Sequence, residues 1–438
     1  MQLKLRENNM ENISEYIGLL LLLIIIGGFI FRAKYPKIPS WSIMSFAASL
    51  SILSGLIPIN SISDVIDWNV ILFLIGMFSI VSIAENSGLL DYMAAMLVMR
   101  TRSRLSILYL LSLFFGILAS IMVNDAVAVV GTSLSVIISK SLDLSFEPVA
   151  ILLAFSITIG STMTPLGNPQ NMLIATQTNI SAPLIMFLKY LAIPTIINLV
   201  ITTYFIIKYY KIKNLKRSFF IGVPQEFIKN KKDAYISLGA VILVIVFLLI
   251  NDFLELYKLP HVTSIGIIPF TISAFIYIFI SEPRQILSKV NWGTIVFFIT
   301  MFIATQGIWN SGILYGLLHI LLPHIMKGAD NIIRISASSL IISQLISNVP
   351  FTNLFIIYMH NLGYTQTNNI SWITLAMATT IAGNLTIFGA ASNIIILDML
   401  ETKYGATITY KNFMKIGIPV TLINFGIYIA YILIMFYL

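Results

Sequence analysis

The sequence predicts an all-α membrane protein with many spans, built from two inverted repeats. Of its 438 residues, 58% are hydrophobic and only 10% are charged, against about 45–50% apolar and about 25% charged residues in ordinary globular domains. The mean hydropathy is +0.92, which leaves too little polar surface to keep a chain of this size in water. We therefore expect a multi-pass protein of the cell membrane, with the lipid bilayer as its surroundings.

Ten crossings are predicted from apolar stretches long enough to span about 30 Å of hydrocarbon. They lie near residues 16–33, 40–59, 68–84, 148–180 and 183–207, and then near 235–254, 262–281, 292–308, 371–400 and 414–438. The first stretch is followed by Arg32, Lys34 and Lys37, where a cleavable signal peptide would need small residues. We expect this stretch to remain as a membrane anchor.

Two further apolar regions, 105–141 and 331–361, are each broken midway by polar residues. The breaks are Val123-Asn124-Asp125 and Ser347-Asn348-Val349-Pro350. A helical hairpin that enters and leaves by the same face explains both regions, because irregular backbone at membrane depth is tolerated only where it is buried or lines a cavity. The alternative is two ordinary spans joined by a polar kink.

Basic residues cluster in the loops. With ten crossings and two re-entrant hairpins, the basic segments near Arg32, 100–104, 208–234, 284–289 and 403–415 all lie on one side, which the positive-inside rule makes cytoplasmic. The Lys-rich segment 208–234 is the predicted linker between a first repeat, 1–207, and a second, 235–438. The placement of the basic residues, more than the net charge of +8, thus indicates orientation in the membrane, and no nucleic acid partner is predicted.

The two halves resemble each other when one is slid along the other. The shift that pairs Trp68 with Trp292 also pairs the Asn-Ser-Gly triplet at 86–88 with that at 310–312, and Asn124 with Asn348. A slightly shorter shift pairs Gly167 with Gly389 and Asn171 with Asn393. Because each half has five crossings, an odd number, the second half runs inverted. Inverted repeats are typical of secondary transporters, which bind substrate and ions between discontinuous helices.

One span in each half cannot be a continuous helix. Residues 160–171, GSTMTPLGNPQN, hold two Pro and two Gly, which remove backbone donors and permit unwound geometry. The counterpart at 383–393 lacks Pro but keeps Gly, hydroxyl and amide groups. An unwound midpoint frees carbonyl groups for a cation and directs a helix N-terminus at an anion. Kinked helices packed through small residues are the alternative.

Polar side chains at the hairpin tips and in the unwound spans are the candidate site. The predicted substrate-binding residues are Asn124, Asp125, Asn168, Asn171, Ser347, Asn348, Thr352 and Asn393. Asp125 is the only carboxylate predicted deep within the first half, where a proton or cation role is expected, although capping of a hairpin helix is an alternative. No Arg or Lys is predicted near either tip, so an anion would rely on amides, hydroxyls, helix termini and bound cations.

These motifs resemble the ion transporter superfamily, which includes divalent-anion:sodium symporters, arsenite permeases and citrate-transporter-like proteins. The resemblance runs from about residue 40 to the C-terminus. In the symporters each hairpin has a Ser-Asn-Thr tip. Ser347 and Asn348 match its first two positions, and Val123-Asn124-Asp125 keeps only the Asn. An Asn-Asp pair followed by Ala-Val is closer to the arsenite permeases and sodium/proton antiporters.

The resemblance implies two sodium sites, with the substrate between the tips. The sodium ligands that it implies are Asn124, Thr164 and Gly167 in one site, and Asn348, Thr386 and Gly389 in the other. A homodimer is expected from the resemblance alone, since dimers occur among these proteins.

The predicted function is secondary active transport of a small inorganic or organic anion, coupled to sodium or protons, with no other cofactor. A sodium/proton antiporter in which Asp125 alternates between the two cations is the alternative, and an anion channel is a further one. An enzyme is not predicted, because the chain has no Cys and its four His show no metal-binding spacing. An ATP-driven pump is disfavoured by the lack of a G-x-x-x-x-G-K-[ST] loop.

Overall fold

The computed structural model describes residues 2–35, 38–216, 224–322, 324–325 and 328–437, and these form helices without a β-strand. The first half contains α1 (Gln2–Lys34), α2 (Ser40–Leu53), α3 (Ile62–Val65), α4 (Trp68–Asn86), α5 (Leu89–Met99), α6 (Arg104–Ile121), α7 (Asn124–Ser141), α8 (Phe146–Ser161), α9 (Pro169–Gln177) and α10 (Pro183–Tyr209). The linker contains α11 (Pro224–Phe227). Lys37 and Arg217, two of the predicted basic loop residues, lie outside the described residues.

The second half repeats this order of elements. It contains α12 (Lys231–Leu256), α13 (Ile267–Ile276), α14 (Pro283–Lys289), α15 (Trp292–Asn310), α16 (Tyr315–Leu321), α17 (Gly328–Ile346), α18 (Asn348–Asn361), α19 (Asn369–Ile381), α20 (Ala391–Tyr404) and α21 (Tyr410–Tyr437). Short 3-10 turns lie at Ile59–Ser61, Ala382–Asn384 and Ile387–Gly389.

Among the described residues, seven helices are long and apolar enough to cross a membrane alone. They are α1, α4, α6, α10, α12, α15 and α21. The other predicted crossings use shorter pieces: α2 and α13 have 14 and 10 residues, and α8 with α9 and α19 with α20 form two interrupted spans. Helix α6, with 18 residues, is among the seven long helices although it was predicted as a hairpin arm. Length alone therefore does not separate a hairpin arm from a crossing, and the turn that follows α6 is the distinguishing feature.

The caps of α4 and α15 show the internal repeat at the level of single residues. Both helices have 19 residues, and the side chains of Asp67 and Asn291 accept hydrogen bonds from backbone N–H groups at their N-termini. Each helix is followed by a glycine with positive φ, +79° at Gly88 and +77° at Gly312. Two stretches that lie far apart in the sequence thus adopt one local structure.

Both predicted hairpins turn at equivalent non-glycine residues with positive φ. Val123 has φ 57° and Ser347 has φ 72°, and the next residues, Asn124 and Asn348, begin the second arms α7 and α18. Such backbone conformations cost about 1–3 kcal/mol and persist where the surrounding structure holds them, often at binding sites. The tips are therefore specific turns rather than frayed helix ends.

Hydrogen bonds between loops sort the helix ends into two groups. At one end they join Ser103 to Asn214, Ser87 to Lys229 and Glu147 to Asn412. At the other end they join Asp67 to Thr176, Ala182 to Glu255 and Gln177 to Asn353. The basic loops belong to the first group, where α10 finishes and α12 begins. The second repeat therefore runs inverted relative to the first.

Small residues bring the first hairpin close to the first interrupted span. Ser112 on α6 and Ser156 on α8 share a hydrogen bond of 2.8 Å. One turn further, a Cβ atom on Gly160 would lie 2.1 Å from the carbonyl oxygen of Gly116. Small residues four apart on both helices let membrane helices pack backbone to backbone. Helices α6 and α8 therefore behave as one packed unit that carries a hairpin tip and an unwound segment.

Gly160→Ala should destabilise this unit, because the added methyl group would meet the backbone of Gly116, which cannot move aside as a side chain can. We expect a loss of roughly 1–3 kcal/mol, as for other overpacked cores, measured as a lower melting temperature of the purified protein in detergent. Gly239→Ala on α12 is the control, since its Cβ would meet nothing within 4 Å. Equal melting temperatures for the two variants would contradict this packing.

Candidate functional site

The two hairpin tips meet at a cavity of about 100 Å³. Asn124 and Asp125 line it from the first tip, and Ser347 and Asn348 line it from the second. The unwound segments complete the wall through residues 169–170 and 389–391. Four of the predicted substrate-binding residues, two from each half of the sequence, are thus brought to one place.

The side chains of the two tip asparagines, which line this cavity, carry buried oxygen atoms. Asn124 and Asn348 are 6% and 4% exposed, and within the described residues neither side-chain Oδ1 atom has a hydrogen-bond partner. The backbone N–H of Asn124 donates to the carbonyl of Gly167 at 2.8 Å, which fixes the first tip to an unwound segment. An unpaired buried acceptor costs about 1–3 kcal/mol, so both oxygens are suited to a cation or to a donor on a ligand.

Asn168 and Asn171 hold the first unwound segment open. The Asn171 side chain donates to the carbonyl oxygens of Ser161 and Thr164, each at 3.0 Å. The Asn168 side chain donates to the Ser161 carbonyl at 3.1 Å and to the hydroxyl of Thr380, on the other interrupted span, at 3.2 Å. Both asparagines were predicted to bind substrate, but they lie behind the cavity wall rather than in its lining.

The second unwound segment repeats this arrangement with fewer bonds. Asn393 donates to the carbonyls of Gly383 at 2.9 Å and Thr386 at 3.4 Å, which are the counterparts of Ser161 and Thr164 under the shift that pairs Asn171 with Asn393. Its Oδ1 atom, and both amide atoms of Asn384, are buried without a partner in the described part of the chain. More polar groups therefore remain available here than in the first segment. Asn384 lies within the interrupted stretch 383–393 but is not among the residues predicted to bind substrate.

The predicted sodium ligands Thr164 and Thr386 tie each unwound segment to the first arm of its hairpin. The Thr164 hydroxyl donates to the Ser120 carbonyl, and the Thr386 hydroxyl donates to the side chain of Gln344 at 3.0 Å. Gln344, which is not among the predicted site residues, also donates to the Ala382 carbonyl at 2.8 Å. The shift that pairs the two tip asparagines also pairs Ser120 with Gln344, and this equivalence was the available signal.

Close backbone approach explains the glycines in the unwound segments. A Cβ atom on Gly167 would lie 2.2 Å from the Ser161 carbonyl oxygen, and one on Gly389 would lie 2.9 Å from that of Gly383. Thr352, also predicted to bind substrate, is fully buried and donates to the Asn348 carbonyl at 2.7 Å. It supports the second tip and does not line the cavity.

Arg32 lines the same cavity, which corrects our prediction that no Arg lies near either tip. It comes from the last turns of α1, and its Nε atom donates to the Ile38 carbonyl at 3.0 Å. Asp398 and Asp125 both interact electrostatically with its guanidinium group. In the sequence Arg32 belongs to the basic flank of the first span, and such a flank indicates orientation in the membrane. Only tertiary packing shows that Arg32 lines the cavity.

Asp125 lies at the junction of two cavities. It lines the cavity between the tips and a second one of about 490 Å³ that extends to Glu85, Lys229 and Lys289. Within the described residues its carboxylate accepts no hydrogen bond, and its electrostatic partner is Arg32. This geometry does not support the alternative in which Asp125 caps the second hairpin helix.

The cavities open toward the end that carries the basic loops. A third cavity, of about 460 Å³, leads from Ser347 and Thr386 past Asp398 to Glu401. At the opposite end, Gln177 donates to the side chain of Asn353 at 3.0 Å and its carbonyl lies 3.1 Å from a ring nitrogen of His360. These bonds join α9 to α18 and close that side.

Comparisons with known proteins agree with this architecture. Residues 19–382 match the model of a family described as citrate transporter. The 46 kDa membrane protein of Mycobacterium leprae is 26% identical over 387 residues, which cover 83% of this chain and 86% of the relative. The silicon efflux transporter LSI3 of Oryza sativa is 23% identical over an alignment of 463 positions with gaps. This alignment covers 91% of this chain and 94% of the relative.

A solved structure shares the fold. The structure of MtrF from Neisseria gonorrhoeae, from a class of antimetabolite efflux pumps, superposes with a TM-score of 0.57 at 12% identity. The superposition covers 97% of this chain and 95% of that chain. At this identity the likeness concerns the fold alone.

Proposed function

The chain belongs to the citrate transporter family and is a membrane transporter rather than an enzyme; from this premise we propose that it is a secondary active permease for a small anion, coupled to sodium or protons. One observation carries the proposal. The tips of two inverted hairpins meet at a cavity, and each tip carries an asparagine whose side-chain oxygen is buried and unpartnered in the described residues. Secondary transporters place substrate and coupling ion at such a junction of repeats.

Alternating access follows from the inverted repeat. By the positive-inside rule the end with the basic loops is cytoplasmic, so the cavities described above open to the cytoplasm. The two halves have the same order of helices. In the reverse arrangement, which is open to the outside, each half would therefore adopt the conformation that the other half has here. The bonds of Gln177 to Asn353 and His360 would then break, and equivalent closure would form at the cytoplasmic end.

The coupling ion would bind beside the tips. A sodium ion prefers oxygen ligands, and unwound backbone carbonyls next to helix ends supply them in transporters. The Oδ1 atoms of Asn124 and Asn348, each next to an unwound segment, fit this requirement. Asp125 offers a second means of coupling, since a carboxylate that lines the cavity can carry a proton.

The antiporter alternative rests on the same Asp125. A site that exchanges only cations has no use for a guanidinium group, yet Arg32 lines the cavity beside Asp125. This favours an anion among the transported species. A channel would need a continuous path, whereas α9 and α18 are bonded together at the outer end.

Uptake by reconstituted proteoliposomes tests the proposal. We expect saturable accumulation of at least one anion from a panel of citrate, phosphate and sulfate, dependent on an imposed sodium or proton gradient. Liposomes without protein, and a collapsed gradient, are the controls. Sodium/proton exchange that no anion affects would establish the antiporter instead, and flux that rises without saturation would establish a channel.

A further inference from the structure

We propose that Arg32 binds the negative charge of the substrate, so that this transporter selects anions over neutral hydroxylated acids of similar size. The inference rests on the proposed function and adds the residue that recognises charge. It starts from the position of the guanidinium group, which lines both the cavity between the hairpin tips and the larger cavity that leads to the cytoplasm. A substrate moving between the two would pass it.

The guanidinium group has donors to spare. An arginine carries five N–H donors in a planar fork. In the described part of the chain only the Nε donor of Arg32 is bonded, to the Ile38 carbonyl at 3.0 Å. That bond holds the end of the side chain in place and leaves the two terminal nitrogens for a ligand. A carboxylate or a tetrahedral oxyanion matches this fork through two parallel, charge-assisted bonds.

The surrounding charges leave Arg32 as the local attraction for an anion. In the cavity between the tips its charged companion is Asp125, and in the larger cavity its companions are Asp398 and Glu401. No other Lys or Arg of the described chain lines either cavity. When ionised, the two aspartates together carry one more unit of charge than the arginine, so an anion between the tips would compete with them for the free guanidinium nitrogens.

Neutral acids gain little from such a group. Arsenous and silicic acid offer hydroxyl groups without a net charge near neutral pH, so they would accept hydrogen bonds from the guanidinium group without the ion pair that a carboxylate or an oxyanion adds to them. The site therefore points to carboxylates and oxyanions as the substrate class.

Matched variants test the role of Arg32. Using the anion from the citrate, phosphate and sulfate panel that the wild type accumulates, we expect Arg32→Gln to weaken binding and uptake by about tenfold to a hundredfold, as for loss of a bond to a charged group. Arg32→Lys, which keeps the charge but not the fork, should lie between. Lys411→Gln is the control, since Lys411 is an exposed cation at the same end that lines neither cavity.

The outcomes separate this inference from the proposed function. Wild-type affinity in folded Arg32→Gln protein, or equal losses in Arg32→Gln and Lys411→Gln, would overturn the role of Arg32 while anion transport stands. A wild type that accumulates arsenous or silicic acid but no anion would overturn the proposed function itself. If Arg32→Gln does not fold, Arg32→Lys decides: an anion affinity equal to wild type contradicts recognition by the fork, and a reduced affinity with unchanged melting temperature supports it.

Discussion

Asn124→Ala and Asn348→Ala should each reduce uptake roughly 5- to 150-fold, the equivalent of about 1–3 kcal/mol. Each substitution removes an amide oxygen that is buried and unpaired in the described residues, so no protein hydrogen bond of that oxygen is lost. The effect on folding should therefore be small compared with the effect on binding. Initial rates in proteoliposomes, normalised to the inserted protein, measure it.

Asn361→Ala is a matched control for these variants. Asn361 lies at the end of the same helix as Asn348 and is exposed, and in the described chain its side chain bonds only to the Ile357 carbonyl of its own helix. Its replacement should leave uptake unchanged. If both tip variants transport at near-normal rates, the repeat is only architectural and the site lies elsewhere.

The double variant Asn124→Ala/Asn348→Ala distinguishes one site from two. If the two amides hold separate ions, their losses should add, as they do for independent positions. If both contact one ligand across the cavity, the second substitution should cost less than the first, because residues that share a partner are not additive. Substrate affinity in the three variants gives the coupling free energy directly.

Much of the architecture could be predicted because membranes constrain backbone strongly. Polar residues in the middle of an apolar stretch require a turn or a cavity, and the turns occur at the predicted tips, Val123 and Ser347. Pro and Gly in 160–171 predicted an interrupted span, and α8 and α9 are separate helices. The inverted order followed from counting crossings.

Which polar residues line the cavity and which hold its wall in place could not be predicted in the same way. Asn168, Asn171, Asn348 and Asn393 have the same chemistry in the sequence, yet the first two and Asn393 donate to backbone carbonyls while Asn348 lines a cavity. Which of these an asparagine does depends on distances set by the folded loop, such as the 3.0 Å from Asn171 to the Ser161 carbonyl. Arg32 was missed for a related reason, since a basic residue after a span has a sufficient explanation in membrane orientation.

Asp125→Asn should remove the dependence of transport on pH while substrate binding stays measurable. Asparagine keeps the size of the side chain and one acceptor oxygen, but it cannot take up or release a proton. Asp125 lies between the cavity at the tips and the one that leads to Lys229 and Lys289, so a proton on its carboxylate can be exchanged with the cytoplasmic side. Uptake measured over a series of external and internal pH values should therefore become flat in the variant.

Asp398→Asn separates proton coupling from a general loss of negative charge near Arg32. Both aspartates interact electrostatically with that arginine, but only Asp125 lines the cavity between the tips. If the carboxylate acts as the proton carrier, Asp398→Asn should keep the wild-type pH profile even where it changes affinity. Equal profiles in the two variants would mean that both act through Arg32.

The antiporter alternative predicts that Asp125→Asn abolishes sodium/proton exchange and that no anion competes for the site. An unchanged pH profile and ion dependence in Asp125→Asn would leave coupling to a sodium ion held by Asn124, Asn348 and the unwound carbonyls beside them.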